Sequence, residues 1–294
     1  MKLMNSIQEI QSYVAEEKKV GRTVGFVPTM GYLHEGHLSL IERAKNESDL
    51  VVVSIFVNPL QFGPNEDFDR YPRDLDRDKK LAEEAGADVL FVPETQEMYP
   101  DESVVTVSVN KRVDALCGET RVGHFDGVAT VLTKLFHIVS PDFAYFGLKD
   151  AQQVAVVQGL VDDFNFPVKV IGCETKRESD GLAMSSRNVY LTEKERKEAV
   201  HLSQSLLKAK KWLLDGDSGE TEQKMINYLE EHTSGSVEYC KILSYPELLP
   251  PTPDTNKLIV AVAVKFSKAR LIDNVILDPI LLKQGSEEET CSVH

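Results

Sequence analysis

The fold is decided by one stretch of the chain in which a strand, a turn, a helix and a second strand follow one another: TVGFVPTMGYLHEGHLSLIERAKNESDLVVVSIFV, residues 23–57. Thr23 to Val27 is rich in β-branched residues and predicts a strand, and Leu50 to Val57 predicts a second, buried strand. Between them, Gly36 to Glu47 carries apolar side chains at helical spacing. Such a unit is typical of a parallel sheet covered by helices.

The same alternation continues along the next hundred residues. Further helices are predicted at Asp74 to Ala85, Val128 to Val139 and Ala151 to Val161, and further strands at Asp88 to Val92, Phe143 to Phe146 and Val168 to Ile171. We therefore predict an α/β fold, with a Rossmann-like parallel sheet domain over residues 1–174. Ligands of such sheets bind at the carboxyl ends of the strands.

The pattern changes after this point. Cys173 to Asn188 is polar and aperiodic, and it precedes two helical segments and three strand-like runs: Glu193–Leu214, Glu220–Glu231, Val237–Leu243, Leu258–Val264 and Ala269–Leu277. Helices followed by strands predict a smaller α+β domain over residues 175–283. Residues 284–294 are predicted to be a disordered tail.

Composition narrows the class of protein. The 294 residues are 42% hydrophobic with a net charge of -14, a balance that disfavours nucleic acid and anionic lipid as main partners. No apolar run approaches the roughly 20 residues that span a bilayer. The amino terminus lacks an apolar stretch typical of secretory signals, and four scattered cysteines predict free thiols, so we expect a cytoplasmic protein.

The turn between the first strand and helix contains the motif His34-x-Gly36-His37. A helix amino terminus offers backbone N–H groups and partial positive charge, which suit phosphate. Two imidazoles three residues apart can also donate hydrogen bonds where charge develops during nucleotidyl transfer. The H-E-x-x-H zinc-protease motif is excluded because position 38 is Leu38. The residues alone still allow an ordinary helix start or a two-histidine metal site.

Two segments farther along the chain could meet a nucleotide. Gly147-Leu148-Lys149-Asp150 follows a predicted strand; Lys149 can meet phosphate, and Asp150 can bond a ribose or merely cap the next helix. Either Gln152 or Gln153 in that helix would face the cleft. Met184-Ser185-Ser186-Arg187 combines two hydroxyls with an arginine, which suits an oxyanion but is also compatible with an exposed loop.

Two further segments could bind a substrate. Residues 58–65 follow the strongest predicted strand, and Gln61 there offers a donor and an acceptor, although an ordinary turn explains the composition equally well. Residues 121–127 carry His124 before a predicted helix, and the alternative is a helix entry with a satisfied histidine.

Together these segments resemble the pantoate–β-alanine ligase family, part of the wider H-x-G-H nucleotidyltransferase group. The resemblance runs from about Ile7 to Leu277 and rests on FVPTMGYLHEGH, VSIFVNPLQF, YPR, GHF, FGLKD and DGLAMSSRN in this order. It implies that pantoate and β-alanine are ligated to pantothenate, toward coenzyme A, with ATP and Mg²⁺. A pantoyl adenylate would be the intermediate, and pyrophosphate and AMP would leave. The resemblance also implies a homodimer formed through the larger domain.

The resemblance implies roles for individual residues. Catalysis is implied for His37, His34, Lys149, Ser185, Ser186 and Arg187. ATP contacts are implied for Met30, Gly31, Tyr32, Leu33, His34, Glu35, Gly36, His37, Gly147, Leu148, Lys149, Asp150, Lys176, Met184, Ser185, Ser186 and Arg187. Pantoate or β-alanine contacts are implied for Gln61 and Gln153, with His124 assisting, and the segment from Met184 to Arg187 would belong to a closing lid.

Three positions depart from the family pattern. Val122 stands where proline is usual, Leu148 where glutamate or glutamine is frequent, and Asp126 where arginine is frequent. Leu148 removes a polar group from the nucleotide loop, and Asp126 changes the charge near His124. Two other functions remain open from the residues: a different H-x-G-H enzyme that transfers AMP, and a nucleotide-sensing module without turnover.

Overall fold

Six parallel strands form the larger sheet of the protein. The computed structural model describes residues 1–64 and 66–279. Within them the strands of this sheet are Lys2–Met4 (β1), Val24–Thr29 (β2), Leu50–Ile55 (β3), Val89–Phe91 (β4), Phe143–Gly147 (β5) and Lys169–Cys173 (β6). Their order is β1-β4-β3-β2-β5-β6, and every neighbouring pair is parallel. The predicted Rossmann-like sheet is confirmed.

Helices connect these strands. They are Ile7–Lys19 (α1), Glu35–Glu47 (α2), Leu75–Glu84 (α3), Thr95–Met98 (α4), Cys117–Thr120 (α5), His124–Val139 (α6) and Ala151–Phe164 (α7). No sequence pattern had predicted β1, α1, α4 or α5. Helix α6 begins four residues before the predicted start, because Gly123 precedes it in the left-handed conformation, with φ of 79°.

The sheet is buried by apolar side chains. Val27, Val51, Val53 and Leu90 of the sheet have no exposed surface and pack with Leu40, Ile41 and Ala44 of α2. Val24 and Phe26, which alternate with Val27 along β2, are equally buried. Burial on both faces explains why these strands read as continuous apolar runs.

A second, smaller sheet has three antiparallel strands. They are Ser236–Ser244 (β7), Leu258–Lys265 (β8) and Arg270–Leu277 (β9), in the order β7-β8-β9. Three helices precede this sheet: Glu193–Glu198 (α8), Val200–Asp215 (α9) and Ser218–His232 (α10). Even-numbered residues of β8 join a core with α9 and α10. Odd-numbered residues Ile259 and Ala261 join a different core that contains Ala151. The predicted α+β part is therefore confirmed.

The helical segment predicted over Glu193 to Leu214 is two helices instead of one. At the junction the Leu202 N–H donates to the carbonyl of Ala199, 3.2 Å away, a three-residue spacing that tightens the turn between α8 and α9. An apolar period alone does not distinguish this tighter turn from a continuous helix.

The described chain divides into two compact units that interleave in sequence. Residues 1–113, 117–148 and 156–176 form the first unit; residues 114–116, 149–155 and the described residues from Arg177 onward form the second. The expected boundary between residues 174 and 175 stays a prediction, and the predicted tail 284–294 lies outside the described residues. Across the described ranges, no helix combines the length and the apolar character needed to cross a bilayer.

Glu195 joins the start of α8 to the turn between β8 and β9, and it makes the stability of the second unit sensitive to pH. Hydrogen bonds from the backbone N–H of Thr192, and from Ser267, lower the pKa of this carboxyl group to about 2. Since its folded pKa lies below its unfolded value, the stabilisation is complete above about pH 4.5 and is lost as the pH falls toward 2.

We therefore expect Glu195→Gln to lower the melting temperature by a few degrees at pH 7, because an amide NH₂ would face a donor. At pH 3 the difference from the parent protein should shrink. The exposed Glu193→Gln on the same helix is the matched control and should show no such pattern. Scanning calorimetry at both pH values measures this, and an equal difference at both would contradict the assignment.

Candidate functional site

Strand β2 marks the point where the strand order of the larger sheet reverses. It pairs with β3 on one side and with β5 on the other. The chain proceeds from β2 to β3 and β4 in one direction and then returns to β5. Parallel sheets bind ligands beyond the carboxyl ends of the strands at such a reversal. The turn after β2, which begins at Met30, therefore lies where a ligand site is expected.

A buried carboxylate shapes this turn. Asp78 of α3 is 1% exposed, and it accepts hydrogen bonds from the backbone N–H groups of Tyr32 (2.6 Å) and Leu33 (2.7 Å). Gly31 and Tyr32 both have positive φ, 83° and 50°. A Cβ on Gly31 would lie 2.9 Å from Ile55, so both the conformation and the space require glycine. Burial raises the pKa of Asp78, and the two N–H groups oppose that rise.

The motif histidines are oriented by the backbone. His34 caps α2: its Nδ1 accepts from the Gly36 N–H at 3.1 Å, while the Nδ1 of His37 accepts from the His34 N–H at 3.3 Å. The two ring centroids are 4.0 Å apart. Because each Nδ1 is an acceptor, each neutral ring carries its hydrogen on Nε2, and that tautomer can donate to an oxygen.

The other predicted residues of this turn differ in exposure. Leu33 is fully buried in the core beneath the sheet, so only its backbone can serve a ligand. Met30 and Tyr32 are half-buried, and Glu35 is exposed at the start of α2. Lys176 follows β6 and is also exposed.

Gln61 lies in a short turn that follows β3 and is itself buried. The Asn58 side-chain amide donates both to Gln61 Oε1 and to the carbonyl of Gly127, each at 3.0 Å, and Tyr99 donates to Asn58 Oδ1. This fixes the Gln61 amide with its oxygen occupied and its NH₂ as the donor it can offer. A Cβ on Gly127 would lie 2.1 Å from the Leu60 carbonyl, so that glycine lets α6 approach the turn.

His124 contacts the backbone of Gln61, not its side-chain amide. One of its ring nitrogens, Nε2, lies 2.9 Å from an Arg121 guanidinium N–H, and the other, Nδ1, lies 2.8 Å from the carbonyl of Gln61. Since arginine only donates, Nε2 is the acceptor and Nδ1 donates to the carbonyl. The two hydrogen bonds favour a positioning role for His124 over direct contact with substrate.

Arg121 is in turn held by Glu66. It donates to Glu66 Oε1 at 2.7 Å and to Oε2 at 2.6 Å, a bidentate pair. Burial opposes ionisation of Glu66, but the Arg121 hydrogen bonds and charge outweigh it and hold the pKa of that carboxyl below its usual range. The chain Glu66–Arg121–His124 thus ends on the backbone of Gln61.

In the second unit, Lys149 and Asp150 stand in a turn just before α7. Lys149 Nζ lies 3.7 Å from Asp150 Oδ2, and the Lys149 carbonyl accepts from the side chain of Asn274 at 2.7 Å. Of the two candidate glutamines, Gln152 is buried and donates to the Ala115 carbonyl at 2.8 Å. Gln153 is half-buried and is the better candidate for a ligand.

The serine-rich segment is an ordered turn. Residues Ser186–Tyr190 form a 3₁₀ turn whose cap is Ser185, since the Ser185 hydroxyl accepts from the Arg187 N–H at 3.2 Å. Ser186 is 6% exposed, whereas Met184, Ser185 and Arg187 are half-buried. The preceding residues are fixed by Arg177, which donates to Asp273 and to the carbonyl of Gly181.

The departures from the family pattern have local structural counterparts. Leu148 lies over Gly172 of β6, where an added Cβ would be 3.0 Å from its side chain. Asp126 accepts from the Val109 N–H at 2.8 Å and sits in the first turn of α6, where negative charge is favourable. Val122 is 92% exposed. We find no structural reason for valine there.

Sequence reasoning missed Asp78, Asn58, Glu66 and Arg121 as organisers of the site. The sequence pattern indicates only that Asp78 is one of several charges in an amphipathic helix and that Asn58 belongs to a turn. Asp78 and the Glu66–Arg121 pair have partners 45 to 55 positions away in the chain, and no local period marks the short-range contacts of Asn58 with Gln61 or of Arg121 with His124. Within residues 1–64 and 66–279, no three His, Cys, Asp or Glu side chains cluster so that they could hold a metal ion.

Comparisons with known proteins agree on one family. The family model for pantoate–β-alanine ligase matches residues 2–276. Pantothenate synthetase of Geobacillus sp. strain WCH70 is 55% identical over 95% of this chain and 99% of its own length, and that of Bacillus velezensis is 56% identical over 95% and 98%.

Solved structures give the same result. Pantothenate synthetase of Thermus thermophilus is 46% identical, with a TM-score of 0.88 over 94% of this chain and 99% of that one. Pantoate–β-alanine ligase of Francisella tularensis, in complex with beta-gamma ATP and β-alanine, is 35% identical, with a TM-score of 0.78 over 94% and 97%.

Asp78 is the residue whose role is most directly testable. Asp78→Asn replaces one acceptor oxygen by a donor that faces a backbone N–H, so we expect the free energy of unfolding to fall by about 1–3 kcal/mol. We also expect weaker ATP binding in calorimetry, because the turn from Gly31 to His37 loses its support. Asp76→Asn, exposed on the same helix, is the control. Unchanged unfolding and ATP binding in Asp78→Asn would contradict the role.

Proposed function

This chain belongs to the pantoate–β-alanine ligase family, and on that premise we propose how its residues carry out the reaction. The reaction is the ATP-dependent condensation of pantoate with β-alanine to pantothenate. In the first step a pantoate carboxylate oxygen attacks the α-phosphorus of ATP, and pyrophosphate leaves. In the second step the amine of β-alanine attacks the acyl carbon of the adenylate, and AMP leaves with the bonding electron pair.

His34 and His37 stabilise the charge that builds on the phosphate oxygens in the first step. Their Nε2–H groups are donors fixed by the backbone before ATP arrives, so little reorganisation is needed. His37 is the proton donor. The α2 amino terminus adds partial positive charge, with Met30, Gly31 and Gly36 close to the nucleotide.

The second group of residues handles the remaining phosphates and the nucleoside. Lys149 holds the phosphates as a point charge, Gly147 and Asp150 contact the ribose, and the Lys176 backbone contacts the adenine. Ser185, Ser186 and Arg187 hold the departing pyrophosphate, and Met184 belongs to a lid that excludes water from the anhydride.

Pantoate binds to the amides of Gln61 and Gln153. The Asn58 contact leaves Gln61 with an NH₂ to donate, which suits the oxygen-rich acid. Gln61 also lies near β-alanine, and His124 supports Gln61 through its backbone carbonyl. Mg²⁺ enters on the ATP phosphates, a common arrangement for an ion that keeps several of its waters.

The observation that carries this proposal is the orientation of the two imidazoles. Both rings accept backbone hydrogen bonds on Nδ1 at the end of the strand where the sheet order reverses. If the two histidines had no function, nothing would require both rings to carry their hydrogen on Nε2, where it can be donated to a ligand. A nucleotide-sensing module would bind ATP without forming an adenylate, so turnover distinguishes the two.

The deciding experiment is exchange of labelled pyrophosphate into ATP with β-alanine absent. We expect exchange that depends on pantoate, because the first step is reversible only when the adenylate forms on the enzyme. His37→Ala and Lys149→Ala should each lower kcat by about 100- to 1000-fold with small changes in melting temperature.

Matched controls are a histidine and a lysine of the first unit to which no role in the reaction is assigned. His137→Ala and Lys169→Ala remove exposed side chains of the same types, and we expect exchange at the parent rate. Folded parent protein that gives no pantoate-dependent exchange would overturn the adenylate mechanism. Equal loss of rate and stability in His37→Ala would instead assign that ring a structural role.

The chain further acts, we propose, as a homodimer in the cytoplasm. Membership of the pantoate–β-alanine ligase family supports this state, and Val104 and Val105, which are adjacent in sequence and 99% and 78% exposed, are the apolar positions chosen to test it. Light scattering should give a molar mass twice that of one chain. The double variant Val104→Asp, Val105→Asp should lower the measured mass toward that of a single chain. A monomeric parent protein would contradict the homodimer.

A further inference from the structure

Two neighbouring residues of β9, Asp273 and Asn274, each hold a different predicted ligand-binding segment of the second unit. Successive residues of a strand point to opposite faces of its sheet, so one strand can serve both faces. Asp273 shares a face with Leu271 and Leu277, which join the core of α9 and α10. Asn274 shares the other face with Ile276, which packs in the core containing Ala151.

Asn274 acts on the turn that contains Lys149. Its Nδ2 donates to the Lys149 carbonyl at 2.7 Å, and Asn274 is 8% exposed. Lys149 lies in a one-turn 3₁₀ segment, and the hydrogen-bond geometry of such a turn is poorer than that of an α-helix. The contact therefore sets the position of the backbone from which the Lys149 ammonium projects.

Asp273 acts on the segment that leads to Ser185. Its carboxylate is buried, since the residue is 2% exposed, and it accepts a bidentate pair from Arg177, at 2.6 and 3.0 Å. Arg177 also donates to the Gly181 carbonyl at 3.1 Å and forms a β-bridge with Ala183. Ala183 in turn accepts from the Asn188 side chain. The ion pair thus anchors both ends of the loop that enters the serine turn.

We propose that Asp273 and Asn274 are positioning residues that hold Lys149 and the Ser185–Arg187 turn in register for ATP and pyrophosphate. The inference rests on the proposed function of those two segments. Its physical basis is that one rigid strand fixes both, so neither segment depends on the other's local stability. The reaction rate depends strongly on the position of such groups, and a displacement of about 1 Å can lower the rate about 100-fold.

The first experiment tests the Asn274 arm by kinetics. Asn274→Ala removes the donor, and Asn274→Asp keeps the side-chain size while replacing the NH₂ with an oxygen. We expect both to raise the KM for ATP about 10- to 100-fold, with the KM for β-alanine within about twofold of the parent value. Ser205→Ala, which removes a buried hydrogen bond of α9 in the same unit, is the matched control and should change neither KM.

A double-mutant cycle then asks whether Asn274 acts through Lys149. In a Lys149→Ala background, Asn274→Ala should lower kcat/KM for ATP little further, because the group that it positions is gone. Effects that multiply would show a general structural role and overturn the proposal. A KM for ATP at the parent value in both Asn274 variants would overturn it as well.

The Asp273 arm is tested in the same manner. Asp273→Asn weakens the ion pair, and Arg177→Lys keeps the charge but loses the bidentate geometry. Both should slow pantoate-dependent pyrophosphate exchange about tenfold or more, and little further in an Arg187→Ala background. Exchange at the parent rate in both single variants, or effects that multiply in the Arg187→Ala background, would overturn this arm.

Failure of the inference differs from failure of the proposed function. If the single variants Lys149→Ala and Arg187→Ala exchange pyrophosphate at the parent rate, then the proposed function of these two residues, on which the inference rests, is wrong. Impaired exchange in those two variants together with parent-like Asp273 and Asn274 variants would leave the function intact and overturn only the positioning role.

Discussion

The contact between the buried Asp78 carboxylate and the N–H groups of Tyr32 and Leu33 is the constraint on which the first unit's site depends. Tyr32 occupies the left-handed region, which costs a non-glycine residue about 1–2 kcal/mol. Two hydrogen bonds to one ionised acceptor offset that cost. The same turn leads into His34, which precedes α2 in an extended conformation, so these hydrogen bonds support the start of the helix that carries both imidazoles.

Local patterns were sufficient for most of the fold. The strand at β2, the helix after it and the strand at β3 are fixed by side chains next to one another in sequence, and their period is visible in any window. The positions of the H-x-G-H turn and of the Lys149 turn are predictable in the same way, because each directly follows the end of a predicted strand. Where the chain departs from a simple period, as between α8 and α9 or before α6, one backbone hydrogen bond or one left-handed glycine decides the geometry.

The supporting residues were not predictable by that route. Asp78 is separated by 46 positions from Tyr32, and Asn274 by 125 positions from Lys149. Each is an ordinary residue for its own element, a charge on an amphipathic helix or a polar side chain in a strand. The assisting role of His124 stays a prediction, and the structure adds that its ring nitrogens bond Arg121 and the Gln61 carbonyl. Such roles depend on tertiary partners.

The interleaving of the two units also bears on how the chain is made. Residues 149–155 lie between segments of the first unit in sequence but pack with β7 to β9. Their packing partners are therefore synthesised only after many further residues have been added. A ribosome adding about 5–20 residues each second would leave the Lys149 turn without its Asn274 donor for several seconds. During synthesis every strand of the larger sheet therefore emerges before the Lys149 turn gains its donor, and that turn reaches its final geometry only after β9 has been added.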